Sequence, residues 1–188
     1  MRMENNSPES ANTQVACYCV FCRTGRQKDV AASIHRQFGV TALIPVKVIL
    51  EKRHHSWVER EVDLIPGYVF VYDNNKEAHD FASVLHGYRV LKYDTQCKAL
   101  YGADEEFALW LFKHSGRLEI STMFGDGDSI KVISGPLTDC AGHIVKMDKH
   151  KQRALIEFGL MGTSKKIWLS FSWIEVENDN FDCRASLT

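Results

Sequence analysis

GDSIKVISGPLTDCAGHIV, residues 127–145, decides how the rest of the chain is read. A short alternating strand runs into Gly135-Pro136, and Gly142 precedes a second alternating strand. Proline fixes φ and glycine frees it, so both mark sharp reversals between strands. The pattern continues outward. SIKVIS, GHIVKM, RALIEF and KKIWLSF read as short strands separated by turn residues, with a last strand in WIEV. Short strands so closely spaced predict a small barrel, in which closure removes exposed sheet edges.

Upstream of Gly125 the periods change. ACYCVFC (16–22) is a continuous apolar run, the pattern of a strand buried on both faces. Residues 26–38 carry Val30, Ile34 and Phe38 on one helical face, and Gly39 is placed to end that helix in a left-handed turn. VTALIPVKVIL (40–50) is strand-like, with Pro45 predicting an edge or a bulge. EKRHHS (51–56) reads as a polar hairpin tip, and WVEREVDLI (57–65) as a half-buried strand. IPGYVFVY (65–72) is a Pro-Gly turn feeding a strand, NKEAHDFASVLH (75–86) a helix, and RVLKY (89–93) a short strand. ADEEFALWLFKHS (103–115) predicts a helix with acidic residues in its first turn, where the dipole favours them, and Gly116 as its stop.

Composition bounds the function. With 188 residues and 45% hydrophobic content the chain has ample core material. A formal net charge of -1 gives no global basic excess, so contact with nucleic acid has to come from a local patch. The first fourteen residues are polar and unlike a signal peptide, and no apolar run approaches the ~20 residues of a membrane helix. These features predict a soluble, cytoplasmic protein with no membrane partner. The six cysteines are then expected to be reduced.

Cys17-x-Cys19-x-x-Cys22 invites a zinc or redox reading. On a strand, however, Cys17 and Cys19 share one face and Cys22 takes the other, and no second pair at ligand spacing follows. Buried thiols serving as small hydrophobes fit better. His54-His55 reads as a polar tip. Asp126-Gly-Asp128 fails as a calcium loop, because its twelfth position is Leu137 where a glutamate is needed. No phosphate-cradling loop and no nucleophile–base constellation is found. The expectation is no catalysis, no metal and no cofactor; the rival from a different class is a cysteine-based redox or metal-binding protein.

Residues 127–145 resemble the KOW motif, through Gly127-Asp128, Ile130, Val132, Gly135-Pro136, Leu137, Gly142 and Ile144-Val145. IPGYVFV (65–71) resembles the Pro-Gly-Tyr-Val signature of the NusG N-terminal domain, and YCVFCRTGRQKDVAASI resembles that domain's first strand and helix. The order fits across residues 16–177. The usual Trp before Tyr18 is Cys17, and the linker is short, so the chain resembles a specialised NusG paralog, most of all LoaP. The resemblance implies an α+β fold: an antiparallel N-terminal sheet with flanking helices, followed by a small SH3-like β-barrel. The organisation expected is a disordered tail to residue 15, a NusG-type domain at 16–116, a linker at 117–124, a KOW barrel at 125–178 and a tail at 179–188.

Such proteins dock on the clamp helices of RNA polymerase through an apolar depression. By motif position the matching residues are Phe21, Leu64, Ile65, Tyr68, Phe70 and Val90. Tyr68 and Phe70 share one face of a strand. Phe70 is open between core filling and contact, whereas Tyr68, able to keep its hydroxyl wet, is assigned to contact. The KOW partner varies in the family among Rho, a ribosomal protein and RNA. KMDKHKQR (146–153) gathers Lys146, Lys149, His150, Lys151 and Arg153, and SKKIW adds Lys165 and Lys166. Cations recurring in two loops that a barrel could bring together fit phosphate contacts with a structured RNA, a stem-loop in the nascent transcript. Phe158, Trp168, Phe171 and Trp173 are assigned mostly to the barrel core. The expected function is that of a monomeric elongation and antitermination factor. A housekeeping factor whose barrel binds Rho or a ribosomal protein is the alternative.

Overall fold

A computed structural model of the chain describes residues 15–74, 79, 81, 88–93, 98–126 and 129–174. The expected tails apart from Val15, most of the expected helix at 75–86, and Gly127-Asp128 lie outside the described residues.

The first sheet has the order β2-β5-β1-β6, built from β1 (Ala16–Cys22), β2 (Thr41–Leu43), β5 (Tyr68–Asp73) and β6 (Tyr88–Val90). All its pairings are antiparallel. Strand alternation divides its side chains between two cores. Tyr18, Val20, Cys22, Val69 and Val71 face α1 (Gln27–Phe38), which buries Val30, Ala31 and Ile34 against them. Cys17, Cys19, Phe70 and Tyr72 point the other way, toward α2 (Ala103–Lys113). Gly39 ends α1 at φ 69°, its N–H donating to His35 O at 2.9 Å.

Pro45 does more than mark an edge. It lacks the N–H a continuing ladder needs, and the apolar run 40–50 breaks there into two strands that belong to different sheets. β2 stays in the first. β3 (Val46–Arg53) leaves it to pair with β4 (Ser56–Asp63) and, in parallel, with β7 (Arg117–Leu118). The β3–β4 hairpin turns at His54 and His55, both at positive φ (45° and 71°), the backbone hand that matches strand twist in a two-residue loop. Strand β4 is almost wholly exposed rather than half-buried, with Trp57 at 46% and Val58 at 44%. Among the described residues its one sheet neighbour is β3, and most of its side chains are exposed on both faces.

The C-terminal sheet has the order β10-β11-β12-β8-β9. Its strands are β8 (Ser121–Asp126), β9 (Ser129–Ser134), β10 (His143–Asp148), β11 (Arg153–Leu160) and β12 (Thr163–Trp173). Residues 117–124, read as linker, hold β7 and the start of β8. Trp173, the first residue of the expected WIEV strand, is the last of β12, while Glu175-Val176 lie outside the described residues; the parallel pairing of β12 with β8 adds β8 to the sheet from the N-terminal side. Gly135 serves its reversal at φ 88°. Gly142 serves a different need. A Cβ there would stand 2.6 Å from Glu157 O and 2.8 Å from Ile156 Cγ2, so close strand approach, not positive φ, requires glycine.

Helix α2 joins the halves. Phe107 packs edge-on against Phe70 at 5.8 Å and stacks on Phe158 of β11 at 4.1 Å, with the rings 4° from parallel. Trp110 Nε1 donates to Pro136 O at 3.2 Å. One apolar cluster therefore runs from Cys17 and Phe70 through α2 to Ile156, Leu169 and Phe171. Among the described residues no helix is long and apolar enough to cross a membrane.

Candidate functional site

Two surfaces carry the candidate residues. The first lies at the end of the first sheet that α2 leaves uncovered. Phe21, the penultimate residue of β1, is 38% exposed, and its ring meets Tyr68 edge-on at 5.2 Å. Their strands pair at this register, Phe21 opposite Tyr68. Gly67 makes room for them: a Cβ there would lie 3.1 Å from the Phe21 ring and 2.8 Å from Cys22 O, at φ 86°. The Gly67 carbonyl also accepts the Cys22 N–H at 2.8 Å. Arg89 stands 6.0 Å from the Phe21 ring, at the outer limit of a cation–π contact.

The remaining apolar candidates divide by depth and face. Ile65 and Tyr68 are half-buried against the α2 side of the sheet. Leu64 is buried at 5%, its N–H donating to Pro45 O at 2.8 Å. Phe70 continues the Phe21–Tyr68 face but is fully buried under Phe107. Val90 pairs with Val20 and belongs to the opposite face, in the core against α1. Two exposed apolar residues of α2, Leu109 and Phe112, were not among the sequence candidates, since the reading of 103–115 concerned only the helix ends. Phe112 lies on Tyr72 at 4.6 Å.

The second surface is the cationic one. Lys146 is exposed on β10, opposite Leu155. Lys149, His150 and Lys151 are exposed in the turn to β11, and Asp148 holds that turn by accepting the Lys151 N–H at 3.0 Å. This backbone hydrogen bond, with Arg153 beside it, keeps the Asp148 carboxyl below the usual carboxylate range. Arg153 is half-buried, its guanidinium 4.3 Å from the ring of Trp168 and its Nε 3.4 Å from Asp148. That Nε makes no hydrogen bond, because 3.4 Å reaches an ion pair but not a good N–H···O bond.

Lys165 and Lys166 are not brought to this group. They lie on β12 opposite Phe158 and Glu157, roughly 13–17 Å along β11 from Arg153 by strand rise. There Lys166 pairs with Glu157 at 3.6 Å. The Ser164 hydroxyl and then Lys166 hold the Glu157 carboxyl below its ordinary value. Phe158 and Phe171 are core residues, but Trp168 is only half-buried, on the outer face beneath Arg153. What does approach Arg153 is the first half of the chain. Lys47 Nζ donates to Trp168 O at 2.8 Å, and the Leu50 N–H donates to Ser170 Oγ at 3.2 Å. Nothing in the local pattern of residues 46–53 signals this contact, which joins positions more than a hundred residues apart.

The thiols are structural. Cys17 and Cys19 face one core and Cys22 the other. Burial pushes the Cys17 thiol up to about 12, with the Glu105 carboxylate adding to it, and raises Cys19, Cys22 and Cys140 as well. Among the described residues no group of three His, Cys, Asp or Glu could hold a metal ion.

Residues 16–100 match the family model described as "Transcription termination factor nusG". The transcription termination/antitermination protein NusG of Pseudomonas aeruginosa is 27% identical over 172 residues, covering 84% of this chain and 96% of that protein. A solved structure described as "Domain interaction in Thermotoga maritima NusG" is 23% identical with a TM-score of 0.45, covering 84% of this chain and 94% of the other.

Proposed function

We propose that the chain is a NusG-family protein, since the family model matches residues 16–100, and that it binds RNA polymerase with its first half and structured RNA with its second. The family is one of transcription factors, not of enzymes. In this reading residues 16–116 hold the clamp helices of the polymerase, the boundary lies at 117–124, and residues 125–178 act as the KOW barrel. The protein works as a cytoplasmic monomer that carries transcription of selected operons through terminators, in the manner of a LoaP-like paralog.

The observation that carries this reading is the Phe21–Tyr68 pair, Phe21 exposed and Tyr68 half-buried beside it. An aromatic pair left open at the margin of a core is the kind of surface a partner covers. Ile65 widens it, and Leu64 and Phe70 support it from below; Val90 acts, if at all, through the sheet. The expected result is that replacing Phe21 and Tyr68 together by Ala lowers retention on transcribing RNA polymerase at least tenfold. Undiminished retention would remove the docking role.

For RNA, support comes from Lys146, Lys149, His150, Lys151 and Arg153 on one end of the barrel. Lys165 and Lys166 form a lesser site toward the other end. Changing Lys149, Lys151 and Arg153 to Ala is expected to weaken binding of the leader RNA of the neighbouring operon and to flatten its salt dependence. Equal affinity and equal slope would count against this loop. A second reading has its own observation: Ile144 and Val145 on the edge strand β10, and Ile133 on β9, are exposed at 43–45%. Exposed apolar residues on a sheet edge suit a protein partner, Rho or a ribosomal protein. A pull-down of both against leader RNA separates the two.

A further inference from the structure

The β3–β4 hairpin and the outer face of the C-terminal sheet enclose a cleft of ≈ 520 Å³, within the roughly 300–1,000 Å³ of small-ligand sites. Its walls are chemically one-sided. Lys47, Lys52 and Arg60 come from the hairpin, and Lys151 and Arg153 from the sheet. Among the described residues the one carboxylate lining it is Glu51, already paired with Arg60 at 3.2 Å and Arg53 at 3.0 Å. Two indoles complete the lining, Trp57 from the exposed hairpin strand and Trp168 beneath the Arg153 guanidinium.

Two details point to an anion with a flat partner. The buried Arg153 Nε makes no hydrogen bond and has the Asp148 carboxylate 3.4 Å away as its ion-pair partner, so its hydrogen-bonding capacity is left open. Lys47 has its amine held below the usual lysine range by burial and then by Arg153. Like charges crowded at a partly desolvated site repel one another, and a phosphate between them would relieve both. Cations on the backbone track with aromatic platforms alongside are the combination that binds single strands. Since Lys151 and Arg153 line the cleft and also belong to the 146–153 loop, a strand leaving that loop enters the cleft directly.

We propose that this cleft seats an unpaired segment of RNA continuous with the structured element held by the loop, one base resting on Trp57 or Trp168 and its phosphates on Lys52, Arg60 and Lys151. The proposal rests on the reading that the loop binds RNA. It adds the β3–β4 hairpin, which belongs to the polymerase-binding half, to the RNA surface, so that the first half of the chain serves both polymerase docking and RNA capture.

The test uses the full chain and two probes: a stem-loop RNA, and the same stem-loop with a single-stranded tail of about six nucleotides. The tail is expected to tighten binding on the order of tenfold, the contribution of one stacked base. Trp57→Ala is expected to abolish that gain while leaving the tailless stem-loop within about twofold. Arg60→Ala is expected to lower the salt slope of the tailed probe by about 0.7, one phosphate contact on a single strand. Trp57 and Arg60 are both exposed, and circular dichroism checks that the variants fold. If the stem-loop binds but the tail adds nothing, or its gain survives in both variants, the cleft assignment is overturned and the loop reading stands. If neither probe binds, both are overturned.

Discussion

Gly135 and Gly39 both hold a left-handed backbone, yet they face different surroundings. A Cβ on Gly39 meets nothing within 4 Å, whereas one on Gly135 would stand 2.6 Å from the Ser121 Cα. Gly39→Ala is expected to cost about 1 kcal/mol, the backbone term alone. Gly135→Ala is expected to cost about 3 kcal/mol, because strain and backbone collision add. Urea unfolding of the two variants checks the difference, and equal costs would show that the collision is relieved by a shift. The thiols make a second prediction at this scale. The folded chain keeps the Cys17 proton well above the free thiol value of 9.0, while the unfolded chain releases it there. Stability from this group is therefore whole below about pH 9 and drains as pH rises toward about 12; Cys19 and Cys22 act in the same direction. Between about pH 8 and about pH 10 the wild type should lose about 1 kcal/mol more than Cys17→Ala in urea titrations. Parallel losses would argue against a buried neutral thiol.

At the scale of elements, α2 is the part whose role changes most between sequence and structure. Its acidic first turn suits the helix dipole, but Asp104 is buried at 7% and does something further. Its carboxylate accepts the Met161 N–H at 3.0 and 3.1 Å and the Tyr93 hydroxyl. Met161 belongs to the tight turn between β11 and β12, so the first turn of α2 clasps the C-terminal sheet. Asp104→Ala strands two donors and is expected to cost about 2–4 kcal/mol. Phe107→Ala, removing the ring between Phe70 and Phe158, is expected to cost about 3–5 kcal/mol. Both numbers come from thermal or urea unfolding, and losses under about 1 kcal/mol would mean the halves are held together elsewhere. The strands themselves were legible: alternation, the Gly-Pro reversal and the glycine stops place β1, β5, β9, β10 and β11 within a residue or two. The hairpin strand β4 was not. Its alternating pattern implies a covered face, but coverage depends on what stands opposite, and here that is solvent and an open cleft.

For the whole molecule, one apolar cluster runs through α2 into both halves, so they should unfold together. Fluorescence from the tryptophans and far-ultraviolet circular dichroism are expected to report one coincident urea transition. Two separated transitions would show that the contacts of Phe107, Trp110 and Asp104 do not couple the halves. By itself the sequence determined the elements and their chemistry, since periodicity, proline, glycine and side-chain type act within a few residues. Its resemblance to the family named Phe21 and Tyr68 together by motif position, and its charge pattern marked residues 146–153 as cationic; that Phe21 stands opposite Tyr68 is read from the strand pairing. Only the tertiary structure decided which candidates are reachable. Phe70 lies beneath Phe107, Val90 turns to the other core, and Lys165 and Lys166 sit toward the far end of β11 from Lys149. It alone set Lys47 and the β3–β4 arm against Trp168 and Arg153, because burial and long-range contact are properties of packing between distant segments, which no local pattern encodes.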